Sequence, residues 1–311
     1  MKKLIISLII LITIVIGIVL IFNKQHKIQK LNQSQLNIVT SIYPIYDFTK
    51  EIAGDKANVS MLLPPGVEIH DYEPTPQDII YIQESSLFLY TGNKLEPWAQ
   101  TVISGINDNE NIKDVSQNIN LIENDEHAHS EHEEHEKYDT HIWLDPQKAI
   151  QIVENITNEL CKKDPTNQEY YQNNSKQYIS KLEKLDSEIS ELAKKSNNKE
   201  IAFGGPFSYT YFVKRYNLNY ISTYDSCGEN NEPSIEKISE IIKEIKSKNI
   251  PVIFYKELSS GKIADTISSE TGAKKLEFHS LHSITKKDLE NGETYIKLMY
   301  KNLDNLKEAL K

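Results

Sequence analysis

The sequence predicts an α/β protein of two similar lobes joined by one long helix, behind an N-terminal membrane-targeting segment. Three observations predict it. Short apolar runs of strand type alternate with helical stretches in both halves of the chain. Between the halves, residues 166–195 contain neither Gly nor Pro and carry Tyr171, Tyr178, Leu182, Leu185, Ile189 and Leu192 at helical spacing. The length of 311 residues suits two domains at about 100 to 200 residues each.

The first 22 residues stand apart. Lys2 and Lys3 precede an apolar run over 4–22, broken only by Ser7, Thr13 and Gly17. Its length is near the roughly 20 residues that cross a bilayer and long for a signal-peptide core of about 7 to 15. No small-x-small cleavage site and no lipid-bearing cysteine follow it, so an uncleaved anchor is expected, with a cleaved signal as the alternative. The rest of the chain then faces outward, extracytoplasmic and attached to the cell membrane, or secreted after cleavage.

After a polar linker to residue 35, the run 36–42 reads as a strand and 48–53 as the start of a helix closed at Gly54. Strands follow at 59–63 and 87–91, the latter after a helix opened by Pro76. Glu96 before Pro97 sits where a helix cap is expected. The uninterrupted stretch to Lys195 is expected to be one helix of roughly 45 Å, its apolar stripe facing a core rather than a dimer seam. Beyond it, strand signals at 201–203, 212–216, 220–223 and 251–255 flank a helix at 234–248. The expected organisation is 1–35 anchor and linker, 36–163 N-terminal lobe, 164–196 connecting helix and 197–311 C-terminal lobe.

Composition narrows the function. Lys plus Arg is 35 against 45 for Asp plus Glu, a net charge of −10, so the basic footprint of nucleic-acid binding is missing. The only cysteines, Cys161 and Cys227, make at most one disulfide and lack Cys-x-x-Cys spacing. No His-Glu-x-x-His, Gly-x-Ser-x-Gly, Walker-type or dinucleotide-binding glycine motif occurs. No enzyme signature stands out. The segment 123–136 holds four histidines, His127, His129, His132 and His135, with seven acids and no Lys or Arg, a solvated loop able to collect divalent cations. Of the other histidines, His70, His141 and His279 stand at the ends of apolar runs, where α/β folds place ligand groups. Imidazole is the commonest neutral ligand of zinc-like ions, so a metal site is the expectation.

The motifs then carry a resemblance. Leu63-Pro-Pro-Gly-Val-Glu-Ile-His70-Asp-Tyr-Glu-Pro-Thr-Pro-Gln-Asp78, Gly92-Asn-Lys-Leu-Glu-Pro-Trp98, His141-Ile-Trp-Leu-Asp-Pro146, Tyr211-Phe-Val-Lys-Arg-Tyr216 and Glu232-Pro-Ser234 follow one another in order. In them the chain resembles the zinc- and manganese-binding substrate-binding proteins of bacterial ABC transporters, from about Leu36 onward. The resemblance implies two Rossmann-like α/β lobes joined by one long rigid helix, a metal between the lobes, and an ABC permease as partner of a monomer. It implies His70 and His141 as the first two ligands. The family's third position falls on Pro206, which has no donor, and His279 stands near the fourth, with His282 as the alternative register. Glu257, Asp225 and Cys227 are chemically suited to complete the shell. A nitrogen-rich set favours Zn²⁺ over Mn²⁺. The rival readings are a manganese receptor of the same family, a zinc-dependent hydrolase on the same histidines, and a metal-stabilised surface adhesin.

Overall fold

The computed structural model of the chain describes residues 35–68, 72–106, 109–123, 138–224 and 233–311. The apolar segment 1–22, the histidine-rich tract, His70, Asp225 and Cys227 lie outside the described residues. Among the described residues no helix is long and apolar enough to cross a membrane.

The N-terminal lobe runs β1 (Leu36–Thr40), α1 (Tyr43–Ala53), β2 (Ala57–Met61), α2 (Pro76–Glu84), β3 (Leu87–Tyr90), α3 (Pro97–Ser104) and β4 (Ile112–Asp114). Its strands form a parallel sheet in the order β2-β1-β3-β4. After a short 3₁₀ turn at Ile142–Leu144, α4 (Pro146–Lys163) completes the lobe and α5 (Gln168–Lys195) leads out of it. The C-terminal lobe repeats the plan: β5 (Glu200–Pro206), α6 (Thr210–Tyr216), β6 (Asn219–Tyr224), α7 (Ile235–Lys248), β7 (Val252–Tyr255), α8 (Lys262–Thr271) and β8 (Lys274–Glu277). Its parallel sheet has the equivalent order β6-β5-β7-β8. Two closing helices follow, α9 (Lys286–Glu290) and α10 (Tyr295–Ala309).

The inner strands read as apolar runs because the middle of a parallel sheet covered by helices is buried on both faces; Leu87, Phe88 and Leu89 of β3 and Val252, Ile253 and Phe254 of β7 are all buried, whereas the edge strands β4 and β8 are polar and only partly buried. The connecting helix is shorter than expected at its start, since Pro165–Asn167 is a 3₁₀ turn. Its 28 residues span roughly 42 Å. Tyr171, Tyr178, Leu182, Leu185 and Ile189 are buried against α4, α1 and α10. One continuous apolar core follows this stripe through both lobes.

Two further elements differ from their expected form. Residues 212–216 are helix, not strand: Tyr209, Phe212, Val213 and Tyr216 are spaced i, i+3, i+4, i+7 and all buried, a helical face that outweighs the strand preference of aromatic and β-branched side chains. Helix α1 begins five residues before 48, with Pro44 in its first turn, where a missing N–H is harmless. Glu96 precedes α3 but makes no side-chain cap. Its buried Oε2 instead accepts from Ser41 Oγ, Thr91 N–H and Thr91 Oγ at 2.6–2.8 Å, tying together the ends of β1 and β3. Cys161 is a half-buried free thiol.

Candidate metal centre

Glu257, His279 and His282 follow the carboxyl ends of the parallel strands β7 and β8, the end of such sheets where ligands are placed, and His141 stands in the long loop after β4. On the N-terminal side, Leu62 and Leu63 prolong β2 by bonding to Thr40 and Ser41. The chain then turns through Pro64-Pro65-Gly66. Gly66 has φ 85°, a conformation strained for a side-chain-bearing residue, and donates its N–H to Ile284 O of the other lobe at 2.8 Å. The turn delivers Glu68 to the crevice, just ahead of His70.

His141 enters from the loop after β4. It is 3% exposed, and Asp139 Oδ1 takes both its backbone N–H at 2.8 Å and its ring Nδ1 at 3.0 Å. Tyr211 of α6 donates to Asp139 O at 3.1 Å, so the C-terminal lobe braces this corner. A carboxylate on Nδ1 places the imidazole lone pair on Nε2, the usual preparation of a metal ligand. Burial alone would raise the Asp139 carboxyl, but its bonds to His141 and the charge there hold it below the ordinary carboxylate value.

The C-terminal side is a short loop after β8. Ser280 gives its N–H and Oγ to the two oxygens of Glu257 at 2.7 and 2.5 Å. Its carbonyl accepts from Trp143 Nε1 at 2.9 Å across the lobe boundary. Leu281, fully buried, adopts φ 66°. Such a left-handed apolar residue costs about 1–3 kcal/mol and is sustained by the packing around it. Burial pushes the Glu257 carboxyl up, but His279, His282 and the Ser280 bonds together hold it below its ordinary value.

This loop sends its two histidines in different directions. His279 turns back on its own loop: Leu281 N–H donates to its Nδ1 at 2.9 Å, Glu257 lies 3.4 Å from the same atom, and Asn302 of α10 clasps its backbone at 2.7 and 2.8 Å. His282 instead faces His141, with ring centres 5.3 Å apart. Two imidazoles sharing one tetrahedral zinc at about 2.0–2.1 Å would stand roughly 5 Å apart, centre to centre. Glu68 reaches His282 from the opposite lobe, Oε1 to Nε2 at 2.8 Å, while its Oε2 lies 3.2 Å from Lys256 Nζ.

The structure thus brings His141 and His282 together and gives Glu257 to Ser280. Among the described residues, no three His, Cys, Asp or Glu side chains form a group that holds a metal. His70, Asp225, Cys227 and His127, His129, His132 and His135 lie outside the described residues. Pro206 ends β5 without a donor. Glu68, Asp139, Lys256 and Asn302 were not singled out by sequence; their only local signal is that Glu68 and Asp139 each precede a candidate histidine by two residues.

Comparison with known proteins agrees with this architecture. Residues 38–309 match the family model described as zinc-uptake complex component A, periplasmic (ZnuA). The chain is 39% identical to the high-affinity zinc uptake system protein ZnuA of Bacillus subtilis over 89% of its length and 88% of that relative. It is 32% identical to the zinc-binding lipoprotein AdcA of Streptococcus pneumoniae over 90% of this chain, but spans only 57% of that longer protein. The Zn(II)-bound ZnuA-like domain of the same AdcA superimposes with a TM-score of 0.76 at 31% identity, covering 89% of this chain and 99% of that domain. With its two parallel-sheet lobes, its connecting helix and a family match over nearly all of the described residues, the chain belongs to the ZnuA family.

Proposed function

We propose that this chain is an extracytoplasmic receptor that captures Zn²⁺ between its lobes and delivers it to an ABC importer, without covalent chemistry. The observation that carries the reading is the meeting of His141 and His282 across the crevice, 5.3 Å between ring centres. His141 is the N-terminal ligand, poised by Asp139, and His282 the C-terminal one. His70 joins them from the motif that contains it. His279, engaged with Leu281 and Asn302, has the role of holding the loop, and Glu257 does the same through Ser280. A nitrogen-rich pair favours Zn²⁺ over Mn²⁺. The relatives named as zinc uptake and zinc-binding proteins support that choice.

The connecting helix is buried along one face in a core that continues through both lobes, which opposes wide hinge opening. Release to the permease then rests on a small displacement of the His282 loop. The apolar N-terminal segment is assigned as the membrane attachment, and the histidine-rich tract as a weak collector of cations.

The test is zinc affinity by chelator competition on the full chain with His127, His129, His132 and His135 replaced by Gln. His141→Ala and His282→Ala are each expected to weaken binding by at least about 100-fold, while His279→Ala stays within about fivefold and lowers thermal stability instead. Manganese should compete poorly. Tight zinc binding retained in both His141→Ala and His282→Ala would refute the assignment.

A further inference from the structure

Glu68 belongs to the N-terminal lobe by sequence, yet both of its carboxylate oxygens are engaged by the other lobe. Oε1 stands 2.8 Å from His282 Nε2, and Oε2 stands 3.2 Å from Lys256 Nζ. Lys256 is 7% exposed at the end of β7, so its ammonium requires a counter-charge, and a carboxylate from the opposite lobe lies beside it. The turn that carries Glu68 is itself pinned across the boundary by the Gly66 to Ile284 bond. His282, for its part, stands on a loop held by the left-handed Leu281 and by Ser280 on Glu257.

We propose that Glu68 is a positioning residue for zinc capture: a cross-lobe carboxylate that orients His282 toward His141 and, anchored by Lys256, locks the two lobes around the ion. The inference rests on the reading of His141 and His282 as ligands. Its physical basis is general. A carboxylate on one nitrogen of an imidazole fixes the ring and raises its basicity, so the ligand reaches the metal already oriented. Asp139 does this for His141 from within the same loop. From the other lobe the Glu68 carboxylate lies in close contact with His282 Nε2, at 2.8 Å, so ring orientation and lobe contact become one event. The arrangement also suits a chain whose position 206 is proline, because the C-terminal lobe, lacking a donor there, relies on the precise placing of His282. Displacing Glu68 by a small movement of the Pro64–Val67 turn would loosen His282 and Lys256 together, a route by which a docked permease promotes release.

The experiment uses the full chain with the four tract histidines replaced by Gln, so that only the folded site reports. Zinc affinity is measured for Glu68→Gln, Glu68→Asp, Lys256→Gln, His282→Ala and the Glu68→Gln/His282→Ala pair, with melting of each zinc-free protein as the check on folding. Glu68→Gln is expected to weaken zinc roughly 10- to 100-fold through faster dissociation, Lys256→Gln to lose part of the same amount, and Glu68→Asp to recover some of it. In the His282→Ala background Glu68→Gln should add nothing. X-ray absorption of the zinc-loaded Glu68→Gln protein should show the same number of light-atom neighbours as the unsubstituted protein. Unchanged affinity in Glu68→Gln, a further tenfold loss in the His282→Ala background, or the disappearance of an oxygen neighbour would each overturn the proposal. The last would make Glu68 a ligand itself. Full zinc affinity in His282→Ala alone would instead sink the ligand assignment on which it rests.

Discussion

Asp47 offers a quantitative test of how the lobes are held to the connecting helix. It lies on α1, 6% exposed, and its Oδ2 accepts from Tyr178 OH of α5 at 3.2 Å and from Tyr295 N–H at the start of α10 at 3.1 Å. Phe48 packs edge-on against both tyrosine rings, at 5.7 and 4.7 Å. Burial, opposed in part by these two hydrogen bonds, raises the Asp47 carboxyl from 3.8 to about 7. A group whose folded value is raised stabilises the fold fully below its unfolded value and loses that stability as pH rises toward the folded one. The window therefore runs from about pH 4 to about pH 7, roughly three pH units at about 1.4 kcal/mol each, or about 4 kcal/mol. The amide introduced by Asp47→Asn would keep an oxygen acceptor for both donors but cannot ionise. Urea unfolding of the zinc-free protein at pH 5, 6, 7 and 8 is the assay, since bound metal would add its own stabilisation. The stability of Asp47→Asn relative to the unsubstituted chain should climb by about 1.4 kcal/mol per pH unit up to about pH 7 and then level off. A difference that stays constant from pH 5 to 8 would refute the reasoning.

Further outcomes follow from the packing. Glu96→Gln should remain within about 1 kcal/mol because its amide oxygen can serve Ser41 and Thr91, whereas Glu96→Ala strands three buried donors and should cost about 3 kcal/mol in chemical denaturation. Asp186→Ala removes the partner of Arg215, Tyr216 and Gln147, which ties α5 to α6 and α4, and should lower stability by about 2–3 kcal/mol without altering zinc affinity. Gly204→Ala would set a Cβ 2.8 Å from the Ala264 Cα of α8, so it should destabilise by about 1–3 kcal/mol; an unchanged melting temperature would show that β5 and α8 can separate.

The amino-acid sequence by itself determined the architecture. Inner parallel strands buried on both faces are continuous apolar runs, and a stretch without Gly or Pro carrying an apolar stripe at helical spacing has one good conformation; both signals are local. It also made His141 a candidate, because that histidine directly precedes the apolar run Ile142-Trp143-Leu144. The two misjudged elements are short, 212–216 and the start of α1, where side-chain preference and burial disagree over only one or two turns. What only the tertiary structure decided is which group faces the crevice. His279 and His282 are three residues apart and chemically identical, and they are separated by a left-handed Leu281 and by Asn302, 23 residues away from His279 in sequence. Glu68 meets Lys256 across 188 residues of chain. Such contacts are set by how the second lobe packs on the first, and no local pattern encodes a distance between residues that folding alone brings together.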